Sequence, residues 1–418
     1  MKPRIAVTGW GMISALGTGA RENLTALYAG RAPARRDDRL RTSLREPPRV
    51  FFVDAALEED FDPIRRLASR RLDALSLLRS SKLALVAAHE ALEHAELGLG
   101  GAGRDRIAPE RIGVCLGTTV GCSFDAEEYY RACLRGDHPG PDAIRAYLDN
   151  DLATVVASFA HAHGPLATVV DACASATDAI GLATQWIARD RCDVVLAGGA
   201  DALHRFPFLG FGVLRNTSTE ECRPFDRNRA GLNLGEGAGV LVLEREDHAR
   251  RRGARIRGWI AGYATAADAH HPTAPHPEGR GLRRALRLAL GAAGREPSAV
   301  GFVHAHGTGT IHNDRVEGRA LADLFGPTVT VFSTKGATGH TMGAAGALGA
   351  IFALCHLRDG RVPPCAGFKT TDPECAVVPT TETRTVVAGT AIASSLAFGG
   401  TNSVLVLDRG EPGDGGKP

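Results

Sequence analysis

The chemistry of this chain centres on one cysteine, Cys173, which stands where a predicted strand passes directly into a predicted helix. The strand pattern covers residues 165–170, and apolar residues three or four apart begin at Ala176. The free amides of a first helical turn and the positive end of the helix dipole favour a thiolate there. The small neighbours of Cys173 leave room for an acyl group, so we predict a nucleophile. A buried structural cysteine is the alternative, because free cysteines are commonly buried.

Two histidines far along the chain, His306 and His340, favour the nucleophile. Each follows a predicted strand and stands among glycines and threonines. A histidine in such a segment more often donates a hydrogen bond or accepts a proton than fills a core. We therefore expect both rings in a binding site. His304 lies within the apolar strand pattern, where packing is the commoner role.

Lys335 stands at the end of an apolar strand pattern, shortly before His340. Lysine is seldom fully buried without a partner. The acidic residues Asp314 and Glu317 are the natural partners for it. The alternative is a lysine on the surface.

Alternating strand and helix patterns must position these residues. One series begins at Ile5 and ends near residue 252, and a second series follows it. The alternation indicates an α/β fold with buried, largely parallel sheets and helices outside them. The two series suggest an internal duplication, divided into residues 1–252 with the cysteine and residues 253–410 with the histidines. Residues 411–418 are rich in Gly, Pro and charge, and we predict a disordered tail.

The composition is that of an ordinary globular protein, with 418 residues, 44% hydrophobic and 23% charged. A net charge of +2 gives no argument for nucleic acid or membrane binding. No apolar stretch could span a bilayer, and no secretory signal is evident. The 9 cysteines form no CxxC pair, so a cytoplasmic location is expected. No metal-ligand cluster or nucleotide-binding glycine loop is found, so neither a metal nor a tightly bound organic cofactor is expected.

Further glycine-rich and charged segments accompany those of the cysteine and the histidines. In chain order the set comprises residues 7–11, 171–173, 223–226, 235–239, 304–310, 333–340 and 396–403. Together they resemble the β-ketoacyl-acyl carrier protein synthases, condensing enzymes of the thiolase-like superfamily, and most of all the elongating synthases of fatty acid and type II polyketide systems. The resemblance implies a five-layer α-β-α-β-α sandwich of two similar halves, with the active site between them.

By this resemblance, Cys173 takes the growing acyl chain from the phosphopantetheine arm of an acyl carrier protein. His306 and His340 then bind the thioester oxygen of a malonyl group and promote loss of carbon dioxide. The resulting enolate attacks the acyl-Cys173 thioester and lengthens the chain. Neutral imidazoles that donate hydrogen bonds suit an enolate oxygen whose charge grows as the reaction proceeds.

The resemblance also implies supporting roles around these residues. Lys335 pairs with Glu317 and supports the histidine geometry, with Asp314 close by. The amides of Cys173 and Phe398 form a second oxyanion hole, and Phe398 gates the acyl pocket. The other implied contacts are those of Thr308, Thr310, Gly399 and Gly400 with substrate, and of Arg65, Arg66, Arg70 and Arg71 with an acidic carrier protein.

The implied partners are an acyl carrier protein, acyl and malonyl thioesters, and a second ketosynthase-like subunit in a homodimer or heterodimer. Phosphopantetheine arrives on the carrier protein, so the chain itself needs no cofactor. The length, branching and unsaturation of the acyl chain stay open, as does the choice between fatty acid and polyketide pathways.

Three related classes of protein are the alternatives. A thiolase needs a second cysteine in the C-terminal glycine segment, and Ala397-Phe398-Gly399-Gly400 contains none. An initiating synthase needs a Cys-His-Asn set, which His340 argues against. A non-catalytic chain-length factor lacks the nucleophile, whereas Cys173 is present; whether this chain needs such a partner stays open.

Overall fold

Strands and helices alternate along the chain, as the sequence pattern predicts. The computed structural model describes residues 3–31, 33–36, 40, 47–53, 56–67, 77–99, 107–121 and 127–411. The first series of strands is β1 (Ile5–Ser14), β2 (Gly17–Thr18), β3 (Val50–Phe51), β4 (Ile112–Gly117), β5 (Leu166–Val169), β6 (Val194–Asp201), β7 (Leu234–Gly235) and β8 (Gly237–Arg245). The second is β9 (Gly258–Ala267), β10 (Val300–His304), β11 (Val331–Phe332), β12 (Arg361–Val362), β13 (Arg384–Thr385), β14 (Thr390–Leu396) and β15 (Thr401–Arg409).

The helices connect these strands and cover the sheet. Those of the first series are α1 (Ala20–Tyr28), α2 (Ala56–Leu67), α3 (Arg79–His94), α4 (Glu127–Leu134), α5 (Asp142–Asp149), α6 (Leu152–Ala160), α7 (Ser175–Ala188), α8 (Arg205–Val213) and α9 (Glu246–Arg251). Those of the second are α10 (Arg280–Ala293), α11 (Ile311–Phe325), α12 (Lys335–Thr338) and α13 (Ala345–Asp359).

Five strands of each series lie side by side in the same order. The first half has the order β5-β4-β6-β8-β1, and the second has β11-β10-β14-β15-β9. In each half the first three strands of that order are parallel, and the last two are antiparallel to their neighbours. Short antiparallel pairing of β1 with β9 joins the halves. The internal duplication is therefore confirmed by topology, while the division at residue 252 stays a prediction.

Two helices lie between the sheet halves, because each packs on strands of both. Helix α7 contacts β4 and β6 on one side and β9 and β15 on the other, and α13 contacts β14 and β8. Helices α3 and α6 cover the outer face of the first half. Helix α10 covers that of the second, and α11 packs against α10. The layers are thus α-β-α-β-α, which confirms the predicted fold class. The expectation of largely parallel sheets is wrong, because antiparallel pairing of β1, β8, β9 and β15 makes the sheet mixed.

The two central helices approach closely at their N-termini because Gly346 has no side chain. A Cβ at this position would lie 2.1 Å from Thr177 Oγ1. Thr177 Oγ1 also lies 2.8 Å from the hydroxyl of Ser395, at the end of β14. Since Cys173 precedes α7 and His340 precedes α13, this contact brings reactive residues of the two halves together.

The C-terminal end of the described chain is held by contacts. Of the predicted tail 411–418, only Glu411 lies within the described residues. Its carboxylate pairs with Arg250 at 2.6 Å, and its N–H donates to the carbonyl of Ile256. A search of the described helices finds no segment long and apolar enough to cross a membrane.

Candidate active site

The nucleophile turn is built from a strained residue and local hydrogen bonds. A single turn of 3-10 helix, Ala172–Ala174, separates the end of β5 from α7. Ala172 has a φ of 44°, in the left-handed region that residues with a Cβ rarely adopt. The Asp171 N–H donates to Ser175 Oγ at 2.8 Å, and Thr119 Oγ1 donates to the carbonyl of Ala172 at 3.0 Å. These bonds fix the backbone of the turn that carries Cys173.

The structure brings Cys173, His306 and His340 together from three separate parts of the sequence. The thiol sulfur and one ring nitrogen of each histidine lie within 4.8 Å of one another. The two rings meet edge to face, with centroids 5.2 Å apart. All three side chains are buried. The predicted convergence on one site is therefore found.

Hydrogen bonds at Nδ1 define the tautomer of both histidines. Lys335 Nζ lies 3.3 Å from His306 Nδ1 and also donates to the His306 carbonyl. The Met342 N–H lies 3.1 Å from His340 Nδ1. An ammonium and an amide N–H can only donate, so each Nδ1 accepts and each neutral ring carries its proton on Nε2. The site thus holds two Nε2–H donors.

Burial keeps these rings neutral. It lowers the pKa of His306 and of His340 well below the ordinary value, and the nearby charge of Lys335 lowers both further. Burial also lowers the pKa of Lys335, which the negative charge of Glu317 opposes. Neutral rings can donate without first losing a charge, so they suit an oxygen that becomes negative.

Glu317 does not form the expected ion pair with Lys335. Within the described residues, no carboxylate oxygen of Glu317 lies within 4.0 Å of Lys335 Nζ, although the negative charge of Glu317 raises the pKa of Lys335. Glu317 instead accepts the N–H groups of His306 at 2.7 Å and Gly307 at 2.8 Å, together with the Ser394 hydroxyl. The Glu317 carboxylate thus binds the backbone N–H groups at the end of the strand, whereas Lys335 contacts the ring and the carbonyl of His306.

Asp314 supports the turn that follows His306, at residues 307–310. Its carboxylate accepts the N–H of Gly309 at 3.1 Å and the N–H of Phe225 at 2.7 Å. Burial raises the pKa of Asp314, and these hydrogen bonds oppose the rise. Thr308 and Thr310, joined by a 2.8 Å contact of their hydroxyls, are thereby held facing the cavity.

The resting thiol is protonated, which corrects the expectation of a thiolate. Burial raises the pKa of Cys173 to about 12, although the charge of Lys335 and a hydrogen bond from the Phe398 N–H lower it. Desolvation thus outweighs the charge of Lys335 and the Phe398 N–H together.

One cavity of about 420 Å³ joins the reactive residues to the surface. Cys173, both histidines and both threonines line it, as does Phe398. The Phe398 ring stacks on Phe211 at 5.3 Å. Gly399 and Gly400 do not line this cavity; with φ of 87° and 83° they form the turn that carries Phe398. Phe211 is a lining residue that sequence reasoning missed, because its apolar helix pattern is typical of a core.

The predicted carrier-protein residues are only partly described. Arg65 and Arg66 lie on the last turn of α2, where both are exposed. Arg70 and Arg71 lie outside the described residues. The basic end of α2 is therefore present, and its docking role stays a prediction.

The three converging donors do not make a good metal site. A cysteine and two histidines could approach a soft cation. However, the cationic group of Lys335 lies 3.3 Å from the His306 ring, where it would repel a metal ion. The same charge favours an anion, so the arrangement suits a negative reaction intermediate.

Comparison with known proteins places the chain in a family. The family described as "Beta-ketoacyl synthase, N-terminal domain" matches residues 2–249, and its C-terminal counterpart matches residues 257–369. The 3-oxoacyl-[acyl-carrier-protein] synthase 2 of Staphylococcus aureus strain N315 is 35% identical over 98% of this chain and 99% of its own length.

Solved structures extend the same comparison. The ishigamide ketosynthase/chain length factor superposes with a TM-score of 0.88 and 34% identity, over 98% of this chain and 100% of that one. A type II PKS ketosynthase in complex with its acyl-carrier protein superposes with a TM-score of 0.84 and 27% identity, over 98% and 100%. The chain belongs to the β-ketoacyl synthase family and is a condensing enzyme of the acyltransferase type.

Alkylation of Cys173 should report its raised pKa. Because the pKa is about 12, we expect the rate with iodoacetamide to rise through pH 7–10 without a plateau. Lys335→Met removes the charge that lowers this pKa, so alkylation at pH 8 should slow by about tenfold. The measurement is peptide mass spectrometry, with the exposed Cys133 as internal reference.

Lys369→Met is the matched control, because it removes a lysine charge from the exposed surface. It should leave the alkylation of Cys173 unchanged. A plateau below pH 8 in the unmodified protein would instead show that the helix N-terminus stabilises the thiolate.

Proposed function

We propose that the chain is a 3-oxoacyl-[acyl-carrier-protein] synthase, which condenses malonyl-carrier protein with an acyl chain held on Cys173. The observation that carries the proposal is the pair of neutral Nε2–H donors that converge beside the thiol. Two such donors stabilise an enolate oxygen, and the thiol supplies the position for the acyl group. The named relatives act on, or are bound to, acyl carrier protein, which supports the same substrate class.

In the first step Cys173 attacks the carbonyl of an acyl thioester. The new sulfur–carbon bond forms, the carrier thiolate leaves, and the Cys173 proton converts that thiolate to the free carrier thiol. We infer that the amide N–H groups of Cys173 and Phe398 receive the oxyanion of the tetrahedral intermediate. Lys335 lowers the pKa of the thiol.

In the second step the malonyl thioester oxygen accepts hydrogen bonds from His306 and His340. The bond to the carboxylate carbon breaks, carbon dioxide leaves, and the electron pair forms an enolate. The enolate carbon attacks the acyl-Cys173 carbonyl, and the cysteine leaves with a proton from solvent. Neither histidine titrates in this sequence, in agreement with their lowered pKa.

The carrier protein would approach the basic end of α2. Carrier proteins are acidic, and Arg65 and Arg66 are exposed there. A phosphopantetheine arm entering the cavity would pass Thr308 and Thr310, whose hydroxyls can hydrogen-bond its amides. Eight cysteines in the described residues are free thiols, which supports a reducing, cytoplasmic location.

A second candidate is a ketosynthase subunit that works only with a chain-length-factor-type partner. The match to a ketosynthase/chain length factor favours it. Strand β5 lies at the edge of the sheet, and apolar side chains around it are exposed: Leu148 at 67%, Leu166 at 46% and Val170 at 67%. Such a patch fits a second copy or a similar subunit. The nucleophile argues against a purely non-catalytic partner.

Incubation with acyl- and malonyl-carrier protein should yield a 3-oxoacyl-carrier product, read by mass spectrometry. Cys173→Ala should abolish the product but still release carbon dioxide, because both histidine donors remain. His340→Ala should lower carbon dioxide release by about 100-fold or more. Product formation by Cys173→Ala would contradict the proposal.

The same assay separates the two candidate functions. Product from the protein alone supports the stand-alone synthase. Product, together with acylated Cys173, that forms only after a chain-length-factor-type protein is added would show that the chain is a dependent subunit.

Val170→Lys should weaken self-association or partner association by about tenfold or more, because it places a charge on the apolar β5 edge. Light scattering over a concentration series measures the association. Val387→Lys is the matched control, since Val387 is exposed at 86% and lies near the start of β14 instead. Equal association of both variants would exclude the β5 edge as the interface.

A further inference from the structure

The loop that carries the two threonines of the cavity is bound by a segment from the other half of the chain. This threonine loop comprises residues 307–310 in the second half, and the anchor segment comprises residues 222–231 in the first. Ala230 and Gly231 of the anchor segment line the same cavity as both threonines. The contact between the two segments therefore lies beside the path to the thiol.

Three consecutive carbonyl groups of the threonine loop, those of residues 308–310, each accept a hydrogen bond from the anchor segment. Cys222 Sγ donates to the first at 3.2 Å, the Gly231 N–H donates to the second at 3.0 Å, and Arg229 Nε donates to the third at 3.2 Å. All three bonds join backbone oxygens of the loop. They fix the course of its backbone and leave its side chains free to contact a ligand.

The two segments approach closely because residue 309 is a glycine. Gly309 has a φ of 74°, in the left-handed region that favours glycine. A Cβ at this position would lie 2.7 Å from Cys222 Sγ and 3.1 Å from the carbonyl oxygen of Gly231. The loop thus packs directly on the anchor segment, so a shift of one segment displaces the other.

Arg229 uses all three nitrogens of its buried guanidinium group in this connection. Besides the bond from Nε to the Thr310 carbonyl, Nη2 donates to the carbonyl of Ile311 at 3.1 Å. Nη1 donates to the carbonyl of Asp226 at 2.8 Å and to Asp372 Oδ2 at 2.5 Å. Ile311 is the first residue of α11. Arg229 therefore binds the end of the threonine loop and the start of the helix that follows it.

The two aspartates connect Arg229 to a third segment, residues 369–372. Asp372 belongs to this segment and pairs with the guanidinium group. The Asp226 carboxylate accepts the N–H groups of Lys369 and Thr370, each at 2.7 Å. The guanidinium group is thus fixed from the side opposite to the threonine loop.

A guanidinium group suits this position because its acceptors lie in several directions. Arginine presents five N–H donors in a planar fork, whereas lysine has one nitrogen on a flexible stem. A lysine at position 229 keeps the positive charge beside Asp372. It does not also bind the carbonyls of Thr310 and Ile311 with separate nitrogens, so the threonine loop loses part of its support.

We propose that Arg229 is a positioning residue for the phosphopantetheine arm. It fixes the threonine loop so that the hydroxyls of Thr308 and Thr310 meet the amides of an arm in the cavity. The two hydroxyl oxygens lie 2.8 Å apart, so a shift of the loop moves both. The effect on substrate rests on the proposed function, whereas the support of the loop does not.

The test compares the acylation of Cys173 by two small thioesters in the unmodified protein and in Arg229→Lys. Octanoyl-pantetheine carries amides that the threonines can bind, and S-ethyl octanethioate carries none. We expect Arg229→Lys to lower kcat/KM for octanoyl-pantetheine by about tenfold or more, and to change that for the ethyl thioester by less than about twofold. Intact-protein mass spectrometry measures both rates.

Arg252→Lys is the matched control, because Arg252 also binds a carboxylate and a backbone carbonyl. It pairs with Glu244 and donates to the carbonyl of Ala95 at 3.0 Å. Its side chain is 8% exposed, against 2% for Arg229, and it does not line the cavity. This variant should leave both rates unchanged.

A combined variant tests whether Arg229 acts through the threonines. Thr308→Val with Thr310→Val removes both hydroxyls. In that background Arg229→Lys should lower kcat/KM for octanoyl-pantetheine by less than about twofold, because residues that act on the same interaction are not additive. A full tenfold loss in that background would overturn the positioning role.

Hydrogen exchange tests the support of the loop without any substrate. Exchange of the N–H groups in residues 306–313, measured by peptide mass spectrometry, should be about tenfold faster or more in Arg229→Lys. It should be unchanged in Arg252→Lys. Asp372→Asn removes the charge that pairs with Arg229 and should also accelerate exchange, so it supplies the test if Arg229→Lys does not fold.

These measurements separate the positioning role from the proposed function. If neither thioester nor an acyl-carrier protein acylates Cys173 in the unmodified protein, the proposed function is overturned, and faster exchange in Arg229→Lys still upholds the support of the loop. Unchanged exchange would overturn that support. Faster exchange with an equal loss for both thioesters, or with no loss for either, would overturn the positioning of the arm.

Discussion

The close contact of the two central helices is the constraint on which the site depends. Gly346 on α13 leaves no room for a side chain against Thr177 on α7. This approach places the turn before α7 next to the segment before α13, and so places a thiol from one half beside a histidine from the other. A larger residue at Gly346 would separate the helices and, with them, the reacting groups.

Burial then shifts the pKa of each reactive group toward its neutral form, and at Lys335 the negative charge of Glu317 opposes this shift. It raises the pKa of Cys173 and lowers those of both histidines and of Lys335. All four changes favour the neutral form, which is the expected result where desolvation is the largest effect. A site of neutral donors around a neutral thiol stabilises negative charge only when the substrate supplies it, and that is the condition for selective stabilisation of a transition state.

Local pattern predicted the α/β alternation and the candidate cysteine and histidines, whereas the five-layer arrangement and the shared site came from the resemblance to the β-ketoacyl synthases. Alternating apolar runs indicate a layered α/β fold, and a cysteine or histidine among glycines at a strand end is a local signal. Contacts between distant side chains have no such signal. The placement of Lys335 on His306 rather than on Glu317, and of Phe211 under Phe398, depends on how separate elements pack. The raised pKa of Cys173 likewise depends on burial by residues from both halves.

The repeated strand order explains why the chemistry lies between the halves. In the first half, β5 leads through the Cys173 turn into α7. In the second half its counterpart β11 leads through the segment that holds His340 into α13. Cys173 and His340 therefore both precede the N-terminus of a central helix, Cys173 by two residues and His340 by five. Two helix N-termini with their positive dipole ends at one cavity favour negative charge there. A duplicated fold thus supplies, through its symmetry, the electrostatic environment that enolate chemistry requires.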